Sequence, residues 1–396
     1  MNKKLNLLII IFLLLGPILD VTSFLGLPCS ILVRSIFLIG IILYLLWYKK
    51  SLKVLILLLV FGLVNLLYQY LYLKSGMVTS ISSSLKFLYL PVSILFFNAY
   101  QVDTNKDKLL LTVLITYLSI YLLSYVFKIG ADAYLPTDGK SGFKGLFSSI
   151  NEFSAIIVGL LPISLTYLKK KEKCLLFTFV LLASISSSLL IGTKVLMGGI
   201  LFTVFYLLYQ ERDKLFFKKS KKGKIMIIGI LIISIICGSI LFTKTRTYQN
   251  MVIQNSFFKV DKILSLDFVN KVIYNDRLSF LSDNYQYFKS QNIIKILFGI
   301  GLTDNKVKMV EIDIFDIIFR YGVIGFITFI IPIISSIKWK NIRKVDRISL
   351  LLFLIISLTS GHVLIYPAVS IYMAFIQKEE IEVGDKFENR NRNYSL

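Results

Sequence analysis

Apolar runs of about 20 residues recur along this chain from Leu5 to Ile376, separated by short polar links. A helix rises about 1.5 Å per residue, so each run is long enough to cross the roughly 30 Å hydrocarbon core of a bilayer. Backbone groups find no water in that core, and a helix bonds them internally. Because 56% of the residues are hydrophobic and 17% charged, the chain is predicted to be an all-α polytopic membrane protein. The predicted spans are 5–24, 30–48, 53–73, 80–100, 109–128, 152–168, 174–191, 195–209, 225–243, 312–337 and a final apolar block at 348–376.

The final block is interrupted twice, by Ser360-Gly361-His362 and by Pro367. Proline removes a helical hydrogen bond, so this block predicts either one bent helix or two short ones. Two are favoured, which gives about 12 spans, with 11 as the alternative. The predicted organisation is an N-terminal bundle of about nine helices (1–243), one large loop (244–310), C-terminal helices (311–377) and a disordered tail (378–396).

Basic residues cluster in alternate links between the spans. Six links hold 23 Lys and Arg residues: 1–4, 49–53, 101–108, 169–173, 210–224 and 338–347. The short links on the other side hold five: Lys74, Lys128, Lys140, Lys144 and Lys194. Cytoplasmic links of membrane proteins are enriched in Lys and Arg, so the N-terminus and the tail are predicted to be cytoplasmic and the large loop extracytoplasmic. The net charge of +22 therefore reflects topology and does not indicate a nucleic-acid partner.

Three basic residues fall inside predicted spans, each nearer the outer end: Arg34, Lys86 and Arg320. A charge within a span costs roughly 2.5–3.5 kcal/mol, so each should face a cavity, a partner or the interface. Four more cations lie just beyond the spans on the outer side: Lys144, Lys194, Arg246 and Arg277. Together these residues could surround an anionic group, since Arg binds phosphate in a bidentate manner and Lys acts as a point charge.

A structural ion pair is the alternative role for Arg320. Asp316 lies four residues before it and Asp313 seven, so the three share a helix face that should point into the bundle. Three cysteines without paired spacing indicate no disulfide framework. A single histidine argues against a metal site, and no cofactor is expected.

Five short segments carry a family resemblance. Glu311-Ile312 is followed after nine residues by Gly322-Val-Ile-Gly325, which resembles the signature of the O-antigen polymerase and O-antigen ligase superfamily, at the helix that follows the large loop. Other segments resemble the Gram-positive polysaccharide polymerases of this group: 142–153, Gly192-Thr193-Lys194, Asn275-Asp276-Arg277 and Gly361-His362-Val363-Leu364.

The resemblance implies a GT-C-like membrane glycosyltransferase of the bacterial cytoplasmic membrane, independent of metals and nucleotide sugars. Its substrate would be an undecaprenyl-pyrophosphate-linked glycan at the outer face. Arg277 takes the position of the family's loop arginine, which implies pyrophosphate binding and leaving-group stabilisation. Arg246 is a second candidate for that role.

Glu311 stands where the ligases carry histidine, and a carboxylate can equally serve as the base that deprotonates the acceptor hydroxyl. Asp313 is the alternative base, and a plain acid at a helix N-terminus is the structural explanation for Glu311. His362, the sole histidine, is either structural or catalytic.

The function expected first is polymerisation of lipid-linked repeat units into capsular or other cell-surface polysaccharide. Ligase-type transfer of finished glycan to another acceptor is the close alternative, and a flippase or transporter for lipid-linked sugars is the rival from another class. A transporter predicts short loops on both sides and charges in mid-membrane, whereas here one loop dominates. Expected partners are the bilayer and, in the same pathway, a chain-length regulator and a flippase.

Overall fold

A computed structural model describes residues 3–134, 142–210, 276–301, 309–337 and 339–377, with the isolated residues 248, 249, 270 and 274. The predicted span 225–243, Arg246, most of the large loop and the tail lie outside these residues. The helices in chain order are α1 Lys3–Phe24, α2 Cys29–Trp47, α3 Leu52–Leu67, α4 Met77–Ala99, α5 Lys106–Val126, α6 Ile150–Lys170, α7 Cys174–Ile191, α8 Lys194–Gln210, α9 Arg277–Lys289, α10 Ile293–Phe298, α11 Asp313–Ser336, α12 Lys344–Thr359 and α13 Pro367–Ile376.

Eight of the described helices are long and apolar enough to cross a membrane, namely α1 to α7, with α3 extended by a π-helical turn at Tyr68–Tyr72, and α11. The predicted all-α polytopic class is therefore confirmed. The final apolar block forms two helices, α12 and α13, separated at the predicted interruption. The ten residues of α13 extend about 15 Å, which by length alone covers half of the hydrocarbon core.

One element was not predicted. The link between α5 and α6 contains a small antiparallel hairpin, β1 Ala131–Asp132 and β2 Phe143–Gly145. A Cβ on Gly130 would lie 2.5 Å from the Gly145 backbone, so glycine is what lets the two segments approach.

Helices α4 and α6 form the centre of the bundle. In each of these two helices, 78% of the residues in the most apolar 18-residue stretch are buried. The corresponding share is 22% in α2 and 33% in α1 and α7, and these three helices have exposed leucine and isoleucine side chains. Serine side chains of α4, including Ser80, Ser83 and Ser93, are buried. Small residues allow helices to pack closely where the surroundings are lipid, so this composition suits a central helix.

Hydrogen bonds and ion pairs join two of the predicted cytoplasmic links and the start of α1 at one end of the bundle. Asn6 exchanges hydrogen bonds with the backbone of Asp103. Arg343 bonds Asp107 over 2.6 and 3.0 Å and also bonds Asp346. These contacts join the start of α1 to the segments 101–108 and 338–347, which the charge alternation places at the same end.

Candidate active site

An ion pair between Arg277 and Glu311 joins the first residue of α9 to the start of α11. Arg277 Nη2 donates to Glu311 Oε2 over 2.6 Å, and Nε donates to the same oxygen over 3.2 Å. Arg277 Nη1 donates to the backbone carbonyl of Thr359, the last residue of α12, over 3.0 Å. Arg277 is buried, whereas the Glu311 side chain is 37% exposed. The structure thus brings together the two residues that the motifs singled out, and Glu311 is the accessible side of the pair.

The backbone of Glu311 is fixed in the left-handed region, with φ 59°. The Asp316 carboxylate accepts hydrogen bonds from the N–H groups of Val310 and Glu311, each over 3.1 Å. On the opposite side, a Cβ added to Gly361 would lie 2.7 Å from the Glu311 carbonyl oxygen. Glycine at 361 therefore allows the segment after α12 to lie directly against Glu311.

Asp313 anchors that same segment. Its carboxylate accepts three backbone hydrogen bonds of 2.8 Å, from His362 to Oδ1 and from Val363 and Leu364 to Oδ2. The side chain is fully enclosed, with 1% exposure. A carboxylate bonded in this way orders the segment 362–364. This anchoring role differs from the role of general base that the sequence suggested for Asp313.

His362 is placed beside the site by this anchor. Its ring stacks on Tyr366 with a centroid distance of 4.3 Å. Asn151 Nδ2 lies 3.5 Å from His362 Nδ1 and donates to the Ser360 carbonyl over 3.3 Å. Burial lowers the pKa of His362, which favours the neutral ring.

No hydrogen bond or close ion pair joins Arg320 to Asp316 among the described residues, although the two opposite charges are near enough to attract each other. Asp316 uses its oxygens on backbone N–H groups, and no ion pair to Arg320 is found within the described ranges. Arg320 is 8% exposed, and its buried Nη2 has no hydrogen-bond partner among the described residues. Lys86 lies nearby with its Nζ 5.9 Å from the centroid of the Tyr366 ring. Asp313, Asp316 and Arg320 are nevertheless all buried, so the predicted inward-facing stripe is present.

The other predicted cations differ in their surroundings. Arg34 is paired with Asp20 and donates to Ser30 Oγ over 2.7 Å, so much of its charge is neutralised. Lys144 Nζ lies 5.9 Å from the ring centroid of Phe24. Lys194 lines an apolar groove between α6, α8 and α12.

A cavity of about 220 Å³ opens next to the 360–366 segment. Its charged and aromatic lining residues are Asp20, Arg34, Lys86, Tyr89, Glu152 and Tyr366. Of these, the sequence predicted Arg34 and Lys86 and missed Asp20 and Glu152. Both acids could have been found from the sequence. Asp20 is a charge within an apolar span, and Glu152 lies in a segment that carries the family resemblance.

The Gly-x-x-Gly signature has a structural explanation. At Gly322, helix α11 is broken by φ 73° and ψ −179°, and a Cβ there would lie 2.2 Å from the Leu297 carbonyl oxygen. The segment after α10 enters this break, where Ile300 N–H donates to the Phe319 carbonyl over 2.8 Å. A break in a membrane helix frees carbonyl groups, so an approaching segment that bonds them is what permits the kink.

Comparison with known proteins adds one finding. The family model "O-antigen ligase like membrane protein" matches residues 254–381, a stretch that includes Arg277, Glu311 and His362. No curated protein and no solved structure was found to match the chain. Within the described residues, no group of three or more His, Cys, Asp or Glu side chains could hold a metal ion. The resemblance predicted from the motifs is therefore confirmed over residues 254–381, where the chain matches the O-antigen ligase like membrane proteins.

Proposed function

We propose that this protein is a membrane glycosyltransferase that polymerises undecaprenyl-pyrophosphate-linked repeat units into capsular or related cell-surface polysaccharide. The family match supports a membrane enzyme of cell-surface glycan assembly. The observation that carries the proposal further is the ion pair of Arg277 with Glu311, at the end of the bundle where Lys86 and Arg320 also lie.

The reaction is a displacement at the anomeric carbon of the donor sugar. The acceptor hydroxyl oxygen forms a bond to that carbon, and the bond between the carbon and the pyrophosphate oxygen breaks. A nearby carboxylate takes the hydroxyl proton, and cations stabilise the charge that develops on the leaving pyrophosphate.

Arg277 suits the leaving-group role. A guanidinium has five N–H donors, and three of them bond Glu311 and Thr359 in the described surroundings, which leaves two for phosphate oxygens. Glu311 and the Thr359 carbonyl fix the orientation of the guanidinium before a ligand arrives, and such preorganisation is the main source of electrostatic catalysis.

Lys86 and Arg320 support an anionic substrate, because neither forms an ion pair within 4 Å among the described residues. Arg320 Nη2 is buried without a partner in the described part of the chain, and a buried unpaired donor is costly. A phosphate oxygen within reach would remove that cost.

An apolar groove supports a lipid-linked donor. Its lining includes Lys194, Gly198, Phe202, Ile355 and Thr359, and its cavity volume is about 220 Å³. Because the Thr359 carbonyl also bonds Arg277, the groove begins beside the ion pair. A polyprenyl tail lying there would keep its pyrophosphate near Lys194 and Arg277.

The ligase-type reaction remains the second candidate, because it uses the same donor chemistry and differs only in the acceptor. The flippase alternative gains less support, since the cations that lie within predicted spans, Arg34, Lys86 and Arg320, are all near the outer ends of their helices and do not line a path across the bundle. The excess of Lys and Arg in the links at the other end supports a cytoplasmic N-terminus in a bacterial plasma membrane, with the site at the outer face. A chain-length regulator and a flippase of the same pathway are the proposed protein partners.

The test uses the purified full chain in nanodiscs with a lipid-linked repeat unit and no nucleotide sugar. A ladder of polymer lengths is expected from the unaltered protein, and single units from Arg277→Ala and Glu311→Gln. Lys289→Ala is the matched control, because Lys289 is an exposed cation on the same helix as Arg277. Unchanged substrate with the unaltered protein would refute the proposal, and a normal ladder with either site variant would reject that residue's role.

A further inference from the structure

Most carboxylates around the ion pair and the cavity are already bonded to protein groups. Glu311 bonds Arg277, and Asp20 accepts from Arg34 and from the Tyr117 hydroxyl. The remaining two, Asp313 and Asp316, accept backbone N–H groups. A carboxylate has about four lone pairs, so these bonds do not exclude a proton, but they show that each of the four already holds a protein group in place.

Glu152 is different. It lines the cavity together with Lys86 and Arg34, yet no ion pair to Glu152 is found in the described ranges. The Arg34 charge is held by Asp20. The side-chain hydrogen-bond partner of Glu152 is Ser149, at the start of the same helix, and because Glu152 also lines the cavity it can meet a ligand there.

The cavity has the lining of a carbohydrate site. Tyr89 and Tyr366 supply aromatic surface, and Ser82 and Ser148 supply hydroxyl groups. Tyrosine pairs an apolar ring with a polar tip, which suits a sugar with apolar faces and hydroxyl edges. A volume of about 220 Å³ accommodates a single sugar unit and not a polymer.

The same chain segment borders both this cavity and the ion pair. Gly361 lies against the Glu311 backbone, and Tyr366, five residues later, lines the cavity. Between them His362 stacks on Tyr366 and lies 3.5 Å from Asn151, the neighbour of Glu152 in sequence. A donor held by Arg277 and an acceptor in the cavity would therefore be adjacent.

We infer that the cavity binds the acceptor sugar of the proposed transfer and that Glu152 is the base that deprotonates its hydroxyl. The inference rests on the proposed function and deepens it. The hydroxyl proton moves to the Glu152 carboxylate as the oxygen bonds to the anomeric carbon, and the electron pair of the breaking bond leaves with the pyrophosphate. Glu311 then serves to position Arg277.

A purely structural role for Glu152 gives a different expectation. Ser149 and Glu152 have the spacing of a capping box, and Glu152 N–H donates to Ser149 Oγ over 3.3 Å. Glutamine serves equally well at this position of a capping box, so Glu152→Gln preserves the cap and removes only the base.

The experiment measures initial transfer rates with the full chain in nanodiscs and a lipid-linked repeat unit. Glu152→Gln should lower kcat by about 100-fold or more, with the KM for the lipid-linked unit within twofold of the unaltered protein. Glu172→Gln, the same chemical change at an exposed position just beyond the end of α6, should stay within twofold in rate. Glu152→Ala should be slow and should regain part of its rate when formate is added, because a small carboxylate can enter the cavity.

The outcomes separate the two proposals. If the unaltered protein transfers sugar and Glu152→Gln does so at a similar rate, the inference is wrong and the proposed function stands. If Glu152→Gln is slow only because donor binding is lost, and formate restores nothing to Glu152→Ala, the residue is structural and the inference again fails. If the unaltered protein produces no transfer, the proposed function falls and the inference with it.

Discussion

Replacement of Asp313 by asparagine tests whether this acid is an anchor or a base. Its two oxygens hold the N–H groups of His362, Val363 and Leu364, each over 2.8 Å. An asparagine oxygen in the Oδ2 position keeps the bonds from Val363 and Leu364, but its NH₂ group then faces the N–H of His362. Asp313→Asn therefore loses one bond and places two donors together, whereas Asp313→Ala loses all three.

The magnitude follows from the number of unpaired donors. Leaving one buried donor without an acceptor costs about 1–3 kcal/mol, which corresponds to about 5- to 150-fold in the opening equilibrium of the segment. Asp313→Ala leaves three donors, on the order of 3–9 kcal/mol if their effects add, which approaches the whole stability of a typical domain. The expected order of stability is unaltered protein, then Asp313→Asn, then Asp313→Ala.

The assay is amide hydrogen exchange of peptides covering 360–366, measured by mass spectrometry in nanodiscs. We expect faster exchange in Asp313→Asn by the stated factor and a larger increase in Asp313→Ala. Asp283→Asn is the control, because it makes the same chemical change at an exposed position of α9 and should leave exchange unaltered. Unchanged exchange in Asp313→Asn together with lost transfer would refute the anchor and make Asp313 the base.

Three further predictions concern stability and lipid binding. Asp346→Ala should lower the thermal unfolding midpoint, because it removes the carboxylate that pairs with the buried Lys106 ammonium over 2.8 Å; breaking a buried ion pair costs about 3–5 kcal/mol. Gly198→Leu should fill the groove and slow transfer from a long polyprenyl donor but not from a short-chain donor. Gly40→Leu, at a similarly open helix position, should slow neither reaction. Equal transfer rates of Gly198→Leu and the unaltered protein with the long donor would remove the groove from the proposal. The free energy of unfolding should fall as pH drops below about 6.5, because burial lowers the pKa of His362 in the folded protein and the unfolded chain takes up the proton first. Denaturation curves of His362→Gln should lack the pH-dependent loss that this histidine contributes.

Local pattern was enough to predict the membrane helices. A span needs about 20 apolar residues in sequence and the helix satisfies its own backbone, so both requirements can be checked without knowing what lies alongside. The break before Pro367 was predictable for the same reason. The hairpin between α5 and α6 was not, because its three- and two-residue strands depend on a close approach of Gly130 and Gly145 that no local pattern encodes.

Contacts between side chains in the candidate site could not be predicted from the sequence. Motif position was sufficient to single out Arg277 and Glu311 separately, but their bond spans 34 residues and depends on how α9 meets α11. Helical spacing favoured a bond between Asp316 and Arg320, but the Asp316 oxygens accept backbone N–H groups and the two side chains attract each other without a direct bond.

Taken alone, the sequence determined that this is a helical membrane protein and which family its C-terminal part resembles, and it predicted which links share an end of the bundle. These properties follow from composition and order along the chain. Only the tertiary structure decided which charges are neutralised: Arg34 is paired with Asp20, whereas Arg320 Nη2 has no partner in the described part of the chain. The physical reason is that a charge is neutralised by groups within a few ångströms of it in space, whatever their distance along the chain. Glu152 and Lys86, for example, line the same cavity from different helices.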